Sequence, residues 1–148
     1  MANEKLFYVG VKGLIEDKSG RILLLKADVT HHRLVTTAYW DVPGGRIEKG
    51  QTALDTLARE IEEETGIKGI SKATFFVGVI SNHEVPLPNG EPGGLVIMAY
   101  KVRIPEGAKI KLSSEHTEYE WVGKAEAAKR LSHKYPKEFT RLLNRGAF

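Results

Sequence analysis

The sequence predicts a single domain of mixed strands and helices, in the α/β or α+β class. The chain has 148 residues, of which 41% are hydrophobic, and these values fit one compact core. Strand-like runs are mixed with one long and two short segments of helical period. We find no internal repeat, low-complexity segment or linker, so we expect one domain over residues 1–148.

The first part of the chain is typical of strands. Residues 6–15 form an apolar, β-leaning run, the polar residues 16–20 form a turn, and residues 21–26 are again strongly apolar. This succession predicts a hairpin with a buried second strand. Residues 27–37 have no clear period and are expected to form a loop.

The clearest helical period covers residues 52–65. Leu54, Leu57 and Ile61 recur at helical spacing and should seat the helix on the sheet, and Gly66 is a suitable residue just past its end. The helix follows a strand-like stretch, residues 39–42, and a Pro-Gly-Gly sequence at which regular structure should stop.

The second part of the chain again mixes both kinds of element. Residues 74–80 and 95–104 are strand-like, and a loop rich in proline and glycine separates them. Residues 119–122 predict a short strand, and residues 125–131 and 137–144 predict short helices.

The composition excludes several functions. The chain has no cysteine, so thiol catalysis, cysteine-ligated zinc and iron–sulfur clusters are ruled out. The first residues do not resemble a secretory signal, and no run approaches the ~18 apolar residues of a membrane span. We therefore expect a soluble, cytoplasmic protein without a membrane partner. The net charge of +3 permits an anionic partner without requiring one.

The predicted helix at residues 52–65 carries five acidic residues and one basic residue. Glu60, Glu63 and Glu64 fall within an arc of about 100° on one side of the helix. Carboxylates at this spacing repel one another, and they lie near the negative end of the helix dipole. The cluster is either a solvated acidic face or a site for a hard divalent cation, since Mg²⁺ favours oxygen ligands.

The residues around the acidic cluster follow a long, spaced pattern. From Gly45, five residues lead to Gln51, seven more lead to Arg59-Glu60-Ile61, and the pattern ends with Glu63-Glu64-Thr65-Gly66-Ile67. This pattern resembles the Nudix box, in which the position of Gln51 is usually Glu. A Trp-any-any-Pro-Gly-Gly sequence, residues 40–45, precedes it as in the family.

The resemblance implies a Nudix α/β/α sandwich around a mixed β-sheet. It also implies a hydrolase that cuts a diphosphate linkage with Mg²⁺ or Mn²⁺. By the same resemblance, the metal ligands are a carbonyl of the glycine pair, assigned to Gly44, and the carboxylates of Glu60, Glu63 and Glu64. Arg59 would orient a neighbouring glutamate.

The resemblance leaves the general base open, because it varies among Nudix subfamilies. Glu115 is our first choice, since it resembles an additional glutamate outside the box of several members. Glu118 is second, and a box glutamate such as Glu63 is a further candidate. His116 could be a base near neutral pH, but an isolated histidine of this kind is more often a surface or hydrogen-bonding residue. The predicted catalytic residues are therefore Glu63, Glu115 and Arg59.

The resemblance narrows the substrate without naming it. The residue sixteen positions beyond the box is His83, where some subfamilies have Pro or Tyr. We expect a nucleoside triphosphate or a related organic pyrophosphate. The alternatives are a dinucleoside polyphosphate or nucleotide-sugar hydrolase, or a Nudix-fold module that binds nucleotides without cutting them.

The C-terminal segment, residues 124–148, has a net charge of +5. Such a segment could contact RNA, but we interpret it as the charged outer face of the terminal helices. The expected partner is thus a small nucleotide or pyrophosphate rather than RNA. A homodimer is left open.

Overall fold

The computed structural model describes residues 3–28 and 38–146. The elements of this part of the chain, in order, are β1 (Phe7–Ile15), β2 (Ile22–Ala27), β3 (Trp40–Asp41), β4 (Gly44–Arg46), α1 (Ala53–Thr65), β5 (Lys72–Ile80), β6 (Val85–Pro86), β7 (Pro92–Arg103), β8 (His116–Val122), α2 (Lys124–Leu131) and α3 (Lys137–Asn144).

The strands form two sheets between layers of helices. The larger sheet has the order β4-β1-β7-β5, with β6 paired to β7, and the smaller has the order β3-β2-β8. The larger sheet is mixed, because β1 and β7 are parallel while β4 and β5 are antiparallel to their neighbours. One hydrophobic cluster joins both sheets to α1, and another joins them to α2 and α3. The predicted α/β/α sandwich around a mixed sheet is confirmed.

The predicted hairpin is wrong, although both of its strands form. Strands β1 and β2 lie in different sheets, and a single bridge between Glu16 and Ile22 joins the segments at the turn. Strand β1 pairs with β7 along its whole length and with β4 at Gly10–Lys12, and β2 pairs with β8 and, at Leu25–Lys26, with β3. Pairing with strands that are distant in the sequence therefore replaces a hairpin ladder.

Two further boundaries differ from the sequence prediction. The Pro-Gly-Gly sequence does not end regular structure, because Gly44–Arg46 forms β4 against β1. Strand β7 begins at Pro92, so it includes part of the predicted loop. Of the predicted loop at residues 27–37, positions 29–37 lie outside the described residues. Ala27 is the last residue of β2.

Helix α1 has clear signals at both ends. The hydroxyl of Thr52 accepts a hydrogen bond from the Asp55 N–H at 3.1 Å, which caps the first turn. Gly66 ends the helix in the left-handed region, with φ of 76°. Leu57 and Ile61 are fully buried, but Leu54 is 50% exposed, so it does not seat the helix as expected.

The close contact between α1 and the sheet depends on a glycine in β1. A Cβ atom on Gly13 would lie 3.1 Å from Ile61 Cδ1 and 3.3 Å from Leu57 Cδ1. A side chain there would push α1 outward, because such distances are shorter than ordinary van der Waals contact. Among the described residues, no helix is both long enough and apolar enough to span a bilayer.

Candidate active site

Strand β4 contributes two glycines to the site, and neither leaves room for a side chain. Gly44 has φ of 153°, and a Cβ atom there would lie 2.0 Å from the Val11 carbonyl oxygen. A Cβ atom on Gly45 would lie 2.7 Å from the carboxyl carbon of Glu60. The glycine pair thus lets β4 pack against β1 while the Glu60 carboxylate lies directly over its backbone.

Glu64 is the most buried of the three predicted carboxylate ligands, with 6% of its surface exposed. Its Oε2 accepts a hydrogen bond from the Gly44 N–H at 3.0 Å. Burial raises the pKa of Glu64 to about 8, although the Lys12 ammonium and the Gly44 hydrogen bond act in the opposite direction. A cation at this carboxylate would stabilise its ionised form.

Arg59 lies between the other two predicted ligands. One terminal nitrogen is 3.3 Å from Glu60 Oε1, and the other is 3.3 Å from Glu63 Oε1. Its Nε is buried without a hydrogen-bond partner in the described part of the chain. The guanidinium therefore contacts both carboxylates, as the resemblance implies, and its catalytic role stays a prediction.

Gln51, which departs from the Nudix pattern, connects the loop before α1 to the helix. Its Oε1 accepts hydrogen bonds from the Thr56 hydroxyl at 3.1 Å and from Arg59 at 3.3 Å. The Glu48 N–H also donates to this oxygen, at 3.4 Å. Because these contacts use only a neutral acceptor, Gln51 supports Arg59 without adding a charge.

Glu115 reaches the acidic cluster through the segment before β8. Lys111 N–H donates to the Thr65 carbonyl at 2.7 Å, so this segment is bound to the C-terminal end of α1. Burial raises the pKa of Glu60, Arg59 lowers it, and the carboxylates of Glu63 and Glu115 raise it further. Glu115, the first-choice base, is therefore close enough to Glu60 to affect its pKa.

The second-choice base, Glu118, has a different environment. Its carboxylate is 3.1 Å from the Lys26 ammonium, directly across the β2–β8 ladder. Glu120, two residues along the same strand and so on the same face, pairs with Arg130 of α2. Glu118 thus faces the α2 side of the sheet rather than α1, which weakens its candidacy.

A buried charged network centred on Asp41 lies beside the glycine pair and was not predicted from the sequence. Asp41 Oδ1 accepts from Val42 N–H at 2.8 Å and Tyr135 Oη at 2.7 Å. Its Oδ2 accepts from Lys12 Nζ at 3.1 Å and Lys134 Nζ at 2.8 Å. Asp41 and Lys12 each interrupt a strand-like apolar run, and this was the available signal, since buried charges are usually paired.

The connection between α2 and α3 is held against this network. His133 Nε2 is 2.9 Å from the Trp40 carbonyl oxygen, and the imidazole packs against the rings of Tyr39 and His83 at centroid distances of 5.3 and 5.6 Å. On its other side, the Lys134 carbonyl accepts from Asn82 N–H at 2.8 Å. A cluster of aromatic and imidazole rings therefore lies next to the strand that leads into the glycine pair.

The donor chemistry of the acidic cluster suits a hard cation. Among the described residues, no three Asp, Glu, His or Cys side chains form a compact set of metal ligands in their present conformations. The box carboxylates instead contact Arg59 and the Gly44 N–H, and mutual repulsion contributes to the raised pKa of Glu60. All the available donors are oxygens, so the residues fit Mg²⁺ or Mn²⁺ after side-chain rotation.

Comparisons with known proteins identify the family of the chain. The NUDIX domain family matches residues 6–143. A MutT-like protein of Streptomyces ambofaciens is 28% identical over 130 residues, which cover 88% of this chain and 73% of that protein. A mouse protein named bis(5'-nucleosyl)-tetraphosphatase [asymmetrical] is 30% identical over 113 residues, covering 76% of this chain and 70% of that protein.

A solved structure and a longer relative complete the comparison. The crystal structure of the MutT protein from Methanosarcina mazei Go1 superposes with a TM-score of 0.71 at 26% identity, covering 96% of this chain and 94% of that one. An octanoyltransferase of Myxococcus xanthus is 34% identical over 94 residues, but the match covers 63% of this chain and 25% of that protein.

The fold and the family match indicate a hydrolase domain of the phosphoric anhydride class. The chain belongs to the NUDIX domain family, whose profile matches nearly its full length. The predicted enzyme class, a Nudix hydrolase, is confirmed by this match and by relatives that are named as a MutT-like protein and as a bis(5'-nucleosyl)-tetraphosphatase.

Proposed function

We propose that this protein is a divalent-cation-dependent pyrophosphohydrolase that cleaves a diphosphate linkage in a nucleoside diphosphate-X substrate. A nucleoside triphosphate or a related organic pyrophosphate is the leading substrate class. The observation that carries the proposal is the packing of the Glu60 and Glu64 carboxylates on the Gly44–Gly45 backbone. This arrangement brings oxygen donors from α1 and β4 to one place.

The proposed metal ligands are the Gly44 carbonyl and the carboxylates of Glu60, Glu63 and Glu64. Bound there, Mg²⁺ or Mn²⁺ would neutralise charge on the phosphoryl oxygens and make a water molecule more acidic. Of the proposed carboxylate ligands, Glu64 is already held in place by the Gly44 N–H.

The remaining residues would position groups and move a proton. Arg59 would keep the carboxylates of Glu60 and Glu63 apart and oriented, because its guanidinium contacts both. Glu115 would accept a proton from the attacking water as the water oxygen bonds to phosphorus. The phosphorus–oxygen bond to the leaving phosphate breaks in the same displacement, and that phosphate carries away the bonding electrons.

A substrate screen with matched variants tests the proposal. Nucleoside triphosphates, dinucleoside polyphosphates and nucleotide sugars would be incubated with Mg²⁺ or Mn²⁺, and released phosphate and pyrophosphate would be measured. We expect Glu63→Gln to reduce turnover by about three orders of magnitude or more, since it removes a proposed ligand and catalytic group. Glu62→Gln is the matched control, because Glu62 lies on the same helix near Lys68 at the surface. If no compound is hydrolysed with either metal, the proposal is wrong and a nucleotide-binding module is favoured.

A dinucleoside polyphosphate hydrolase is the second candidate. It is supported by the similarity to the mouse protein named bis(5'-nucleosyl)-tetraphosphatase [asymmetrical]. The same screen separates the two candidates by the ratio of kcat/KM for the two substrate classes. Nucleotide sugars are the third substrate class in the same screen.

RNA is not the proposed partner, because part of the basic C-terminal segment is already neutralised. Arg130 contacts Glu120 and Glu126, and Lys134 contacts Asp41. Binding to RNA with a steep salt dependence, retained in Glu63→Gln, would contradict this view.

A further inference from the structure

The Asp41 network contains one hydrogen bond that reaches beyond the carboxylate. Lys12 Nζ donates to Asp41 Oδ2 and also to the Val42 carbonyl, each at 3.1 Å. Lys134 Nζ, at 2.8 Å, contacts the same carboxylate oxygen. The two lysine side chains are equally buried, with 13% and 14% of their surface exposed. They therefore differ mainly in whether the ammonium also binds the chain that leads to Gly44.

Hydrogen bonds hold the segment from Val42 to Gly44 at each residue, in addition to the bond from Val42 N–H to Asp41 Oδ1 and the β1–β4 ladder at Gly44. The Val42 carbonyl accepts from Lys12 Nζ, and the Pro43 carbonyl accepts from Gly13 N–H at 2.8 Å. Gly44 N–H donates to Glu64 at 3.0 Å. The contact from the Lys12 side chain is the one that a conservative substitution can remove.

We infer that Lys12 is a positioning residue, which through Val42 holds the Gly44 peptide in register with the carboxylates of α1. It acts through the backbone and does not need to touch the substrate. This inference rests on the proposed function, because it assigns a purpose to the orientation of the Gly44 carbonyl.

Close packing around Gly44 allows the contact between Lys12 and the Val42 carbonyl to affect the position of the Gly44 peptide. Lys12 is the register partner of Gly44 in the β1–β4 ladder, and a Cβ atom on Gly44 would lie 2.8 Å from Lys12 Cα. The backbones of the two strands are therefore in close contact at this point. A shift of Val42 would be transmitted to Gly44 within two residues, because the intervening Pro43 has a fixed φ.

The two lysines share one charge environment. Asp41 is 5% exposed and binds both ammonium groups, so the trio has one positive charge in excess. The electrostatic influence of Glu64 reaches both lysines. Electrostatics therefore do not distinguish the two lysines, whereas the hydrogen bond of Lys12 to the Val42 carbonyl does.

The test compares Lys12→Met with Lys134→Met. Each variant removes one ammonium from the same carboxylate, but only Lys12→Met removes the bond to the Val42 carbonyl. The measurements are the Kd for Mn²⁺ in the absence of substrate, kcat and KM on the best substrate of the screen, and the free energy of unfolding. We expect Lys12→Met to raise the Mn²⁺ Kd and lower kcat by at least tenfold, with KM changed less than threefold. For Lys134→Met, we expect the Mn²⁺ Kd and kcat to stay within threefold of the wild-type values.

A conservative variant, Lys12→Arg, should restore Mn²⁺ binding. Lys12→Arg keeps the charge and has enough donors for both acceptors, so the Mn²⁺ Kd should return to within threefold of the wild-type value. If Lys12→Met does not fold, Lys12→Leu and Lys134→Leu carry the same comparison, because leucine also has no donor. Equal Mn²⁺ affinities in the two members of a folded pair would overturn the inference.

The outcomes also separate this inference from the proposed function. A wild-type protein that neither binds Mn²⁺ nor hydrolyses any compound would contradict the proposed function itself. A wild-type protein that does both, together with lysine variants of equal effect, would contradict only the role of Lys12.

Discussion

Two neighbouring groups of buried or half-buried carboxylates have pKa values shifted in opposite directions. Around Asp41, each carboxylate oxygen accepts two hydrogen bonds, and the nearby lysines hold its pKa well below the usual range. Around Glu60 and Glu64, burial raises the pKa of both carboxylates. The carboxylate of the first group thus has cationic partners within the protein, whereas the raised pKa values of the second group fit the proposal that it binds a cation.

The largest effect is expected from removing the negative charge of Asp41. Asp41→Asn leaves two buried ammonium groups without their shared carboxylate, so the free energy of unfolding should fall by about 3–5 kcal/mol at pH 7. Because the pKa of Asp41 is lowered in the folded state, its stabilisation is present above the unfolded pKa near 3.8. It is lost as the pH falls through the folded pKa.

The measurement is urea unfolding of wild type and Asp41→Asn at pH 7 and at pH 3. The difference between the two proteins should be smaller at pH 3. Glu62→Gln, on the surface of α1, is the control. A difference that is equal at both pH values, or below 1 kcal/mol at pH 7, would contradict the description of Asp41 as the centre of the network.

A smaller effect is expected from a substitution that crowds the Glu60 carboxylate. In Gly45→Ala, the new methyl would lie 2.7 Å from the Glu60 carboxyl carbon, so that carboxylate must move away from the backbone. We expect kcat/KM to fall about 100-fold, or about 2.7 kcal/mol in transition-state stabilisation. Gly123→Ala, where a Cβ atom meets nothing within 4 Å, is the matched control. Equal activity of the two variants would show that the Glu60 position is unimportant.

The pH dependence of the metal-free protein sharpens the contrast. The pKa of Glu64 is raised to about 8 from the ordinary value of 4.5. Between these values the folded protein retains a proton that the unfolded chain has released, so this group makes the protein less stable as the pH rises from about 4.5 to 8. Glu64→Gln should remove that contribution. Urea unfolding at pH 5.5 and 8 tests this, and identical pH slopes in both proteins would contradict it.

The smallest effect is expected at the position that departs from the Nudix pattern. Gln51→Glu keeps the acceptor that Thr56 and Arg59 use, so we expect metal-dependent kcat to change by less than tenfold. Glu63→Gln in the same assay provides the large reference effect. Small and equal effects of the two substitutions would remove the basis for placing Glu63 in the catalytic site.

Local patterns allowed much of the fold to be predicted. Helix α1 was identified with its C-terminal glycine, because hydrophobic period and end signals are local properties. The pairing of β1 and β2 was predicted incorrectly, since a short turn favours a hairpin while the choice of partner depends on distant strands. Residues 44–46 were missed as a strand because their glycines have little intrinsic β-propensity.

The candidate site, like the fold, was predicted only in part from the sequence. The spacing of Arg59, Glu60, Glu63 and Glu64 on one helix was visible along the chain. The Asp41 network was not, because its side-chain hydrogen bonds join residues separated by 29 to 94 positions in the sequence. Only the approach of β1, β3 and the α2–α3 connection brings these charges together.

The sequence by itself determined the family, the acidic face of α1 and the glycines that allow it to approach β4, because these depend on residue type and short spacing. The tertiary structure decided which buried carboxylates have cationic partners within the protein and which are the proposed cation ligands. Desolvation and Coulomb interactions depend on three-dimensional neighbours, so Asp41 and Glu64, both buried acids, acquire pKa values shifted in opposite directions.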